Sequence, residues 1–208
     1  MKRPGKIVCV GRNYVEHAKE LGNVVPDRPL LFLKPPSAVI GDGETIVLPE
    51  ASRRVEHEGE IGVVIGTRLT RAGEPAARAA IAGITCVNDV TARDLQNADG
   101  QWTCAKGFDT FCPMGPRLLE VGPAFDLSDL EVRCRVNGVE RQRGRAADMV
   151  FSIARLLSYI SGVMTLEPGD LVATGTPAGV GPLVDGDVVE VEIPGVGVLR
   201  NSVSAATR

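Results

Sequence analysis

The sequence predicts an α+β domain that is mainly β, and three observations carry that prediction. Glycine and proline, 24 and 14 of the 208 residues, punctuate many short apolar runs instead of interrupting a few long helices. The segment Glu131-Val132-Arg133-Cys134-Arg135-Val136 alternates polar and apolar with period two. Asn137-Gly138 then supplies the two positive-φ residues that a tight hairpin needs. Finally, only two stretches hold a clear helical period.

Taken in order, strands are expected over 7–10, 30–33, 58–65, 81–88, 131–136, 139–143, 171–174, 188–193 and 198–203. One helix is expected over 15–21. A second is expected over 148–163, where Met149, Val150, Ile153, Leu156, Leu157 and Ile160 recur at helical spacing behind Asp148 as N-cap. Alanines suggest a third over 75–82, ended by Gly83. No repeat, biased tract or linker divides the chain, so residues 1–208 read as one domain with one cleft.

Composition narrows the function. The chain is 44% hydrophobic and 24% charged with a net charge of -3, and its basic residues are scattered, which argues against a nucleic-acid partner. No apolar run approaches the roughly 20 residues that span a bilayer, and the apolar segment after Met1-Lys2-Arg3-Pro4-Gly5 is too short for a secretory signal. A cytoplasmic protein is expected. The five cysteines (9, 86, 104, 112, 134) include no Cys-x-x-Cys pair and read as free thiols.

The most informative stretch is Val55-Glu56-His57-Glu58-Gly59-Glu60-Ile61-Gly62-Val63-Val64-Ile65. Residues two apart on a strand share a face, about 7 Å apart at the backbone, so Glu58 and Glu60 project side by side. The apolar continuation carries them toward the core, where unpaired negative charge is costly and a positive group should lie between them. Ile84-Thr85-Cys86-Val87-Asn88-Asp89 reads as a buried strand ending on a third carboxylate. Three carboxylates form a hard oxygen site suited to Mg²⁺, Mn²⁺ or Ca²⁺, while two histidines are too few for a zinc triad. The competing readings are an exposed acidic edge for the glutamates and a turn or cap for Asp89.

Other polar groups carry less weight alone. His17 and Glu20, three apart, share a helical face, either as an oriented general base or as a solvated pair. Lys106 stands among small and aromatic residues, where an ammonium could neutralise an enolate or a substrate carboxylate, or simply face water. The loop Thr174-Gly175-Thr176-Pro177-Ala178-Gly179-Val180-Gly181 lets backbone amides approach an anion, or serves only as a turn, and it is not a nucleotide loop.

In order along the chain, six segments together resemble the fumarylacetoacetate hydrolase superfamily. They are Val10-Gly11-Arg12-Asn13-Tyr14, Phe32-Leu33-Lys34-Pro35, Glu58-Gly59-Glu60, Asn88-Asp89-Val90-Thr91-Ala92-Arg93-Asp94-Leu95-Gln96, Lys106-Gly107-Phe108-Asp109-Thr110 and the loop from Thr174 to Gly181. The resemblance implies a mixed β-roll or β-sandwich with peripheral helices, a homodimer, and a Mg²⁺ or Mn²⁺ ion. It matches Glu58, Glu60 and Asp89 to metal ligands, His17 and Glu20 to a water-activating dyad, and Lys106 to oxyanion support. Arg12, Arg93, Gln96 and Thr176 would hold a small 2-oxo acid. The reaction implied first is hydrolytic carbon–carbon cleavage of an acylpyruvate of the fumarylpyruvate or acetylpyruvate class, giving pyruvate and a carboxylic acid. Oxaloacetate decarboxylation and isomerisation of 2-hydroxyhepta-2,4-diene-1,7-dioate are alternatives, toward which Gly107-Phe108-Asp109-Thr110-Phe111 and Gly115-Pro116 lean. A non-catalytic metal-binding scaffold is the reading from another class.

Overall fold

In the computed structural model, which describes residues 2–20, 22 and 24–206, the short apolar runs become strands. Chain order begins β1 (Ile7–Gly11), α1 (Val15–Glu20), β2 (Leu30–Lys34), β3 (Val39–Ile40) and β4 (Thr45–Leu48). There follow β5 (Val55–His57), β6 (Gly59–Ile65), α2 (Glu74–Ala79), β7 (Ile81–Asn88), β8 (Thr91–Ala92), α3 (Arg93–Ala98), α4 (Thr103–Lys106) and β9 (Cys112–Glu120). The chain continues through β10 (Glu131–Val136), β11 (Val139–Arg145), α5 (Ile153–Val163), β12 (Leu171–Ala173), β13 (Gly181–Pro182), β14 (Val188–Ile193) and β15 (Gly197–Ala205).

The strands form a seven-stranded sheet (β2-β1-β12-β6-β7-β9-β3), a five-stranded sheet (β11-β10-β14-β15-β4) and a three-stranded sheet (β13-β5-β8). The large sheets are mixed: β1 with β12, β3 with β9 and β15 with β4 run parallel, and the other pairs antiparallel. Strands β10, β14 and β15 pack across β6, β7 and β9, enclosing Ile61, Val63, Val132, Val191 and Leu199. Such layering buries one face of each sheet, the usual origin of a single core. Gly59 marks a close approach: a Cβ there would lie 2.9 Å from that of Cys134 on the opposite sheet. The predicted mainly β, α+β class with a mixed β-roll is the observed fold. No helix among the described residues is long and apolar enough to cross a membrane.

Several boundaries differ from the sequence reading. The helix expected from Asp148 begins at Ile153, because Ser152, not Asp148, accepts the Arg155 amide as its cap. Met149 and Val150 precede it in chain pinned to Asn13, whose carbonyl accepts the Val150 amide at 2.8 Å and whose side chain accepts the Phe151 amide at 2.9 Å. The α5 face that does form buries Leu156, Leu157 and Ile160 completely. Helix α2 stops at Ala79, since Ile81 pairs with Ile65 at the start of β7 and Gly83 with Val64, so Gly83 lies within a strand and is no terminator. The helix predicted over 15–21 is observed to Glu20, and Leu21 lies outside the described residues. Strand 58–65 is divided, with Glu58 between β5 and β6.

Candidate active site

Glu58 and Asp89 are held together by one backbone and one side-chain hydrogen bond, and Glu60 follows on β6, paired with Val87 of β7. The Asp89 amide donates to the Glu58 carbonyl at 2.8 Å, and the Glu58 amide donates to Asn88 Oδ1 at 2.9 Å. Each of the three residues is at most 4% exposed, and one ligand oxygen from each lies within 4.8 Å of the other two. The exposed acidic edge is thereby excluded, and so is the cap, since Asp89 precedes β8 and the residue before α3 is Ala92.

The positive group expected between the carboxylates is the chain's own. Lys106 Nζ, at the end of α4, donates to Glu58 Oε2 and to Asp89 Oδ2, both at 2.7 Å. Burial alone would lower the Lys106 pKa, but Asp89 and Glu58 outweigh it and drive it upward. Arg93 donates from Nε to Glu56 Oε2 at 2.7 Å and from Nη2 to Glu58, while Nη1 reaches Gln96. Burial would raise the Glu58 carboxyl, yet Lys106 and Arg93 hold it well below the usual range. Its guanidinium so engaged, Arg93 orients Glu58 and Glu56.

Glu60 is different. Its carboxylate accepts the Gly175 amide at 2.8 Å, and burial together with repulsion from Asp89 and Glu58 pushes its pKa well above the ordinary value. Four cations face the neighbouring acids: Lys34 on Asp89, Lys106 on Asp89 and Glu58, Arg93 on Glu58 and Glu56, and the exposed Arg54 on Glu56. No ion pair to Glu60 is found among the described residues. Three convergent carboxylate oxygens, one lacking a counter-charge, therefore fit a hard divalent cation of the Mg²⁺ or Mn²⁺ type.

These groups line a cavity of about 250 Å³ with Arg12, His17, Phe32, Gln96, Trp102 and Thr176. Such a volume suits a small acid, below the usual range for drug-sized ligands. His17 is buried, and its Nδ1 lies 3.3 Å from Glu20 Oε2, leaving Nε2 as the nitrogen free of that contact. Glu20 also accepts the Gly179 amide at 3.0 and 3.1 Å, tying α1 to the glycine loop. A Cβ on Gly179, at φ +99°, would lie 2.0 Å from the Arg141 carbonyl oxygen. Arg12, also at positive φ (58°), has no hydrogen-bond or ion-pair partner among the described residues. All ten residues singled out from sequence border one site, Glu20 through His17.

Two contributors escaped the sequence reading. Lys34 is fully buried at the end of β2, and its Nζ donates to Asp89 Oδ1 at 2.6 Å and to the Val90 carbonyl at 3.0 Å. Gln142 turns inward at a bulge in the β10–β11 pairing. Its Oε1 accepts the Gly59 amide at 2.9 Å and lies 3.0 Å from His57 Nδ1; its Nε2 donates to Thr176 Oγ1 at 2.7 Å and to the Pro177 carbonyl at 2.8 Å. The Thr176 hydroxyl donates in turn to the Gly59 carbonyl at 2.9 Å, so its proton is directed away from any substrate.

Known proteins resemble this chain over nearly its full length. Residues 6–204 match the family model described as fumarylacetoacetate (FAA) hydrolase C-terminal. An uncharacterized protein of Archaeoglobus fulgidus is 53% identical over 199 residues, 96% of this chain and 78% of the relative. Oxaloacetate tautomerase YisK of Bacillus subtilis is 42% identical over 212 residues, 97% of this chain and 70% of the relative. The crystal structure of 5-carboxymethyl-2-hydroxymuconate delta-isomerase from Mycobacterium smegmatis superposes with a TM-score of 0.89 at 46% identity, covering 99% of this chain and 81% of that one. With the family match spanning both large sheets and all three clustered carboxylates, the chain belongs to the fumarylacetoacetate hydrolase family.

Proposed function

We propose that the protein is a divalent-metal-dependent enzyme that interconverts the keto and enol forms of a small 2-oxo acid of the oxaloacetate class. The observation that carries this reading is the convergence of Glu58, Glu60 and Asp89 in a small cavity beside Lys106 and His17. The names of a tautomerase and an isomerase among its relatives point to proton transfer next to a ketone.

Glu58, Glu60 and Asp89 would hold Mg²⁺ or Mn²⁺, which supplies Lewis-acid polarisation of the 2-oxo group when bound. His17, with Nδ1 directed to Glu20, presents Nε2 as the base that takes a proton from the carbon beside the ketone. The electron pair of that C–H bond moves into the new C=C bond, and the carbonyl oxygen takes the proton from the protonated His17 to complete the enol, returning the imidazole to its neutral form. Lys106 stabilises the negative charge on that oxygen as it develops. Arg12, unpaired, and Gln96 would orient the substrate carboxylates, and Thr176 would offer its backbone rather than its inward-directed hydroxyl.

The His17–Glu20 pair favours a second reading, hydrolysis of an acylpyruvate. There the same base would deprotonate water, which adds to the distal carbonyl; the carbon–carbon bond breaks, releasing a carboxylic acid and the enolate of pyruvate, which is then protonated. Oxaloacetate tautomerisation and consumption of acetylpyruvate and fumarylpyruvate, followed by ultraviolet absorbance with Mg²⁺ or Mn²⁺ and then with chelator, separate the readings. Chelator-sensitive tautomerisation alone supports the first, faster acylpyruvate cleavage supports the second, and turnover of neither leaves a metal-binding scaffold. His17→Ala should reduce turnover about 10²–10⁴-fold with Mn²⁺ affinity unchanged; loss of Mn²⁺ binding would refute the assigned role.

A further inference from the structure

Beside the reaction cavity lies a second, larger hollow of about 540 Å³. Three residues, Arg12, Phe32 and Trp102, line both, so they form the border between them. Beyond that border the walls are mainly apolar: Leu30, Leu31 and Leu33 of β2, the edge strand of the large sheet, with Gln101 and Thr103 opposite. The border itself is built. Phe32 and Trp102 meet edge to face, with ring centroids 5.2 Å apart at 70°. The indole settles over Gly11, where a Cβ would lie 2.9 Å from its ring. On its other side, Phe32 receives the Lys106 ammonium 4.9 Å from its centroid. The aromatic wall thus touches both the carboxylate cluster and the groove.

We propose that this groove is the subsite for the substituent of a 2-oxo acid remote from its carboxylate, and that it accepts an apolar chain. The proposal rests on the reading of the carboxylate cavity as a 2-oxo acid site. Its warrant is continuity and chemistry: the groove shares Arg12, Phe32 and Trp102 with that cavity, Arg12 at the border is its only charged lining residue among those described, and one wall is formed by three leucines. An anionic head held at the carboxylate cluster would carry its tail past Trp102 into a surface that water wets poorly. A substituent as short as the carboxymethyl group of oxaloacetate would end at Arg12 on the border and gain nothing there.

The chain's single tryptophan is Trp102, so its fluorescence reports occupancy of the border without requiring turnover. The full-length protein with Mg²⁺ is titrated with pyruvate, 2-oxohexanoate and 2-oxooctanoate, following emission and, in parallel, the heat of binding. Burying methylenes strengthens binding by about fourfold each at most, so partial burial predicts roughly tenfold tighter binding for each two or three methylenes added, with quenching. Leu33→Lys, at a half-exposed position outside the reaction cavity, should erase the chain-length gain and leave pyruvate affinity unchanged. Equal affinity for pyruvate and 2-oxooctanoate, or binding heat without a change at Trp102, overturns the subsite while leaving the proposed reaction intact. Failure of every 2-oxo acid to bind overturns the reaction and the subsite together. A chain-length gain that Leu33→Lys leaves untouched overturns the subsite.

Discussion

Replacing Gln142 by leucine removes four hydrogen bonds from a residue that is 2% exposed. Two of its partners are backbone groups left without a replacement: the Gly59 amide and the Pro177 carbonyl. Each stranded buried group costs about 1–3 kcal/mol, giving about 2–6 kcal/mol for the pair. The Thr176 hydroxyl loses a donor but keeps its bond to the Gly59 carbonyl, so it adds little. At about 2–4 °C per kcal/mol for a domain of this size, the midpoint of thermal unfolding should fall by roughly 8–16 °C for a mid-range loss. Because Gly59 separates Glu58 from Glu60, the glutamates should also lose their spacing, weakening Mn²⁺ binding roughly tenfold or more. Circular dichroism melting and the paramagnetic resonance of free Mn²⁺ measure the two effects. A Gln142→Leu protein that melts within about 2 °C of wild type and binds Mn²⁺ equally well would refute the clamp.

Three further outcomes follow from the same geometry. Lys106→Met leaves Glu58 and Asp89 without their shared cation, a loss of about 3–5 kcal/mol; melting in chelator should show it and Mg²⁺ should restore part, whereas an equal loss in both conditions argues against divalent binding at the cluster. Burial pushes the thiols of Cys86, Cys112 and Cys134 up to about 12 and that of Cys9 well upward, while Cys104 is exposed. At pH 8 these four stay protonated, so a disulfide reagent should label one thiol in the native protein and five in urea; rapid labelling of a second native thiol contradicts the buried assignments. Gly179→Ala meets the Arg141 carbonyl and a backbone angle that alanine adopts at a cost of about 1 kcal/mol or more, so the glycine loop should shift, freeing Glu20 and lowering turnover; unchanged turnover would detach the loop from the His17–Glu20 pair.

Legibility in the sequence followed the strength of the local pattern. Strands β7, β10 and β14 match their predicted limits, because alternation or a continuous apolar run was bounded by turn residues. Strand β9 was missed: Pro113, Gly115 and Pro116 disguise its nine residues as a loop, and the apolar residues around them provide no alternation. The start of α5 was misjudged since Met149 and Val150 continue the helical period by coincidence, while Asn13, distant in sequence, holds them extended. The same division applies to the site. Glu58 and Glu60 announce themselves by spacing, but Gln142 sits in the run Glu140–Arg145, which has no apolar residue to mark an inward face, and its partners Gly59, Thr176 and Pro177 are distant in sequence. Lys34 gave one faint signal, a lysine closing the apolar strand Leu30–Lys34 just before two prolines.

The internal neutralisation of the acidic cluster has a consequence for the order of events in the protein's life. Glu56, Glu58 and Asp89 already have Arg54, Arg93, Lys34 and Lys106 as counter-charges, so the newly made polypeptide can close around its acids before any dication arrives. Folding would then need no divalent cation, and Glu60, with no ion pair among the described residues, is the acid that such an ion would be left to complete.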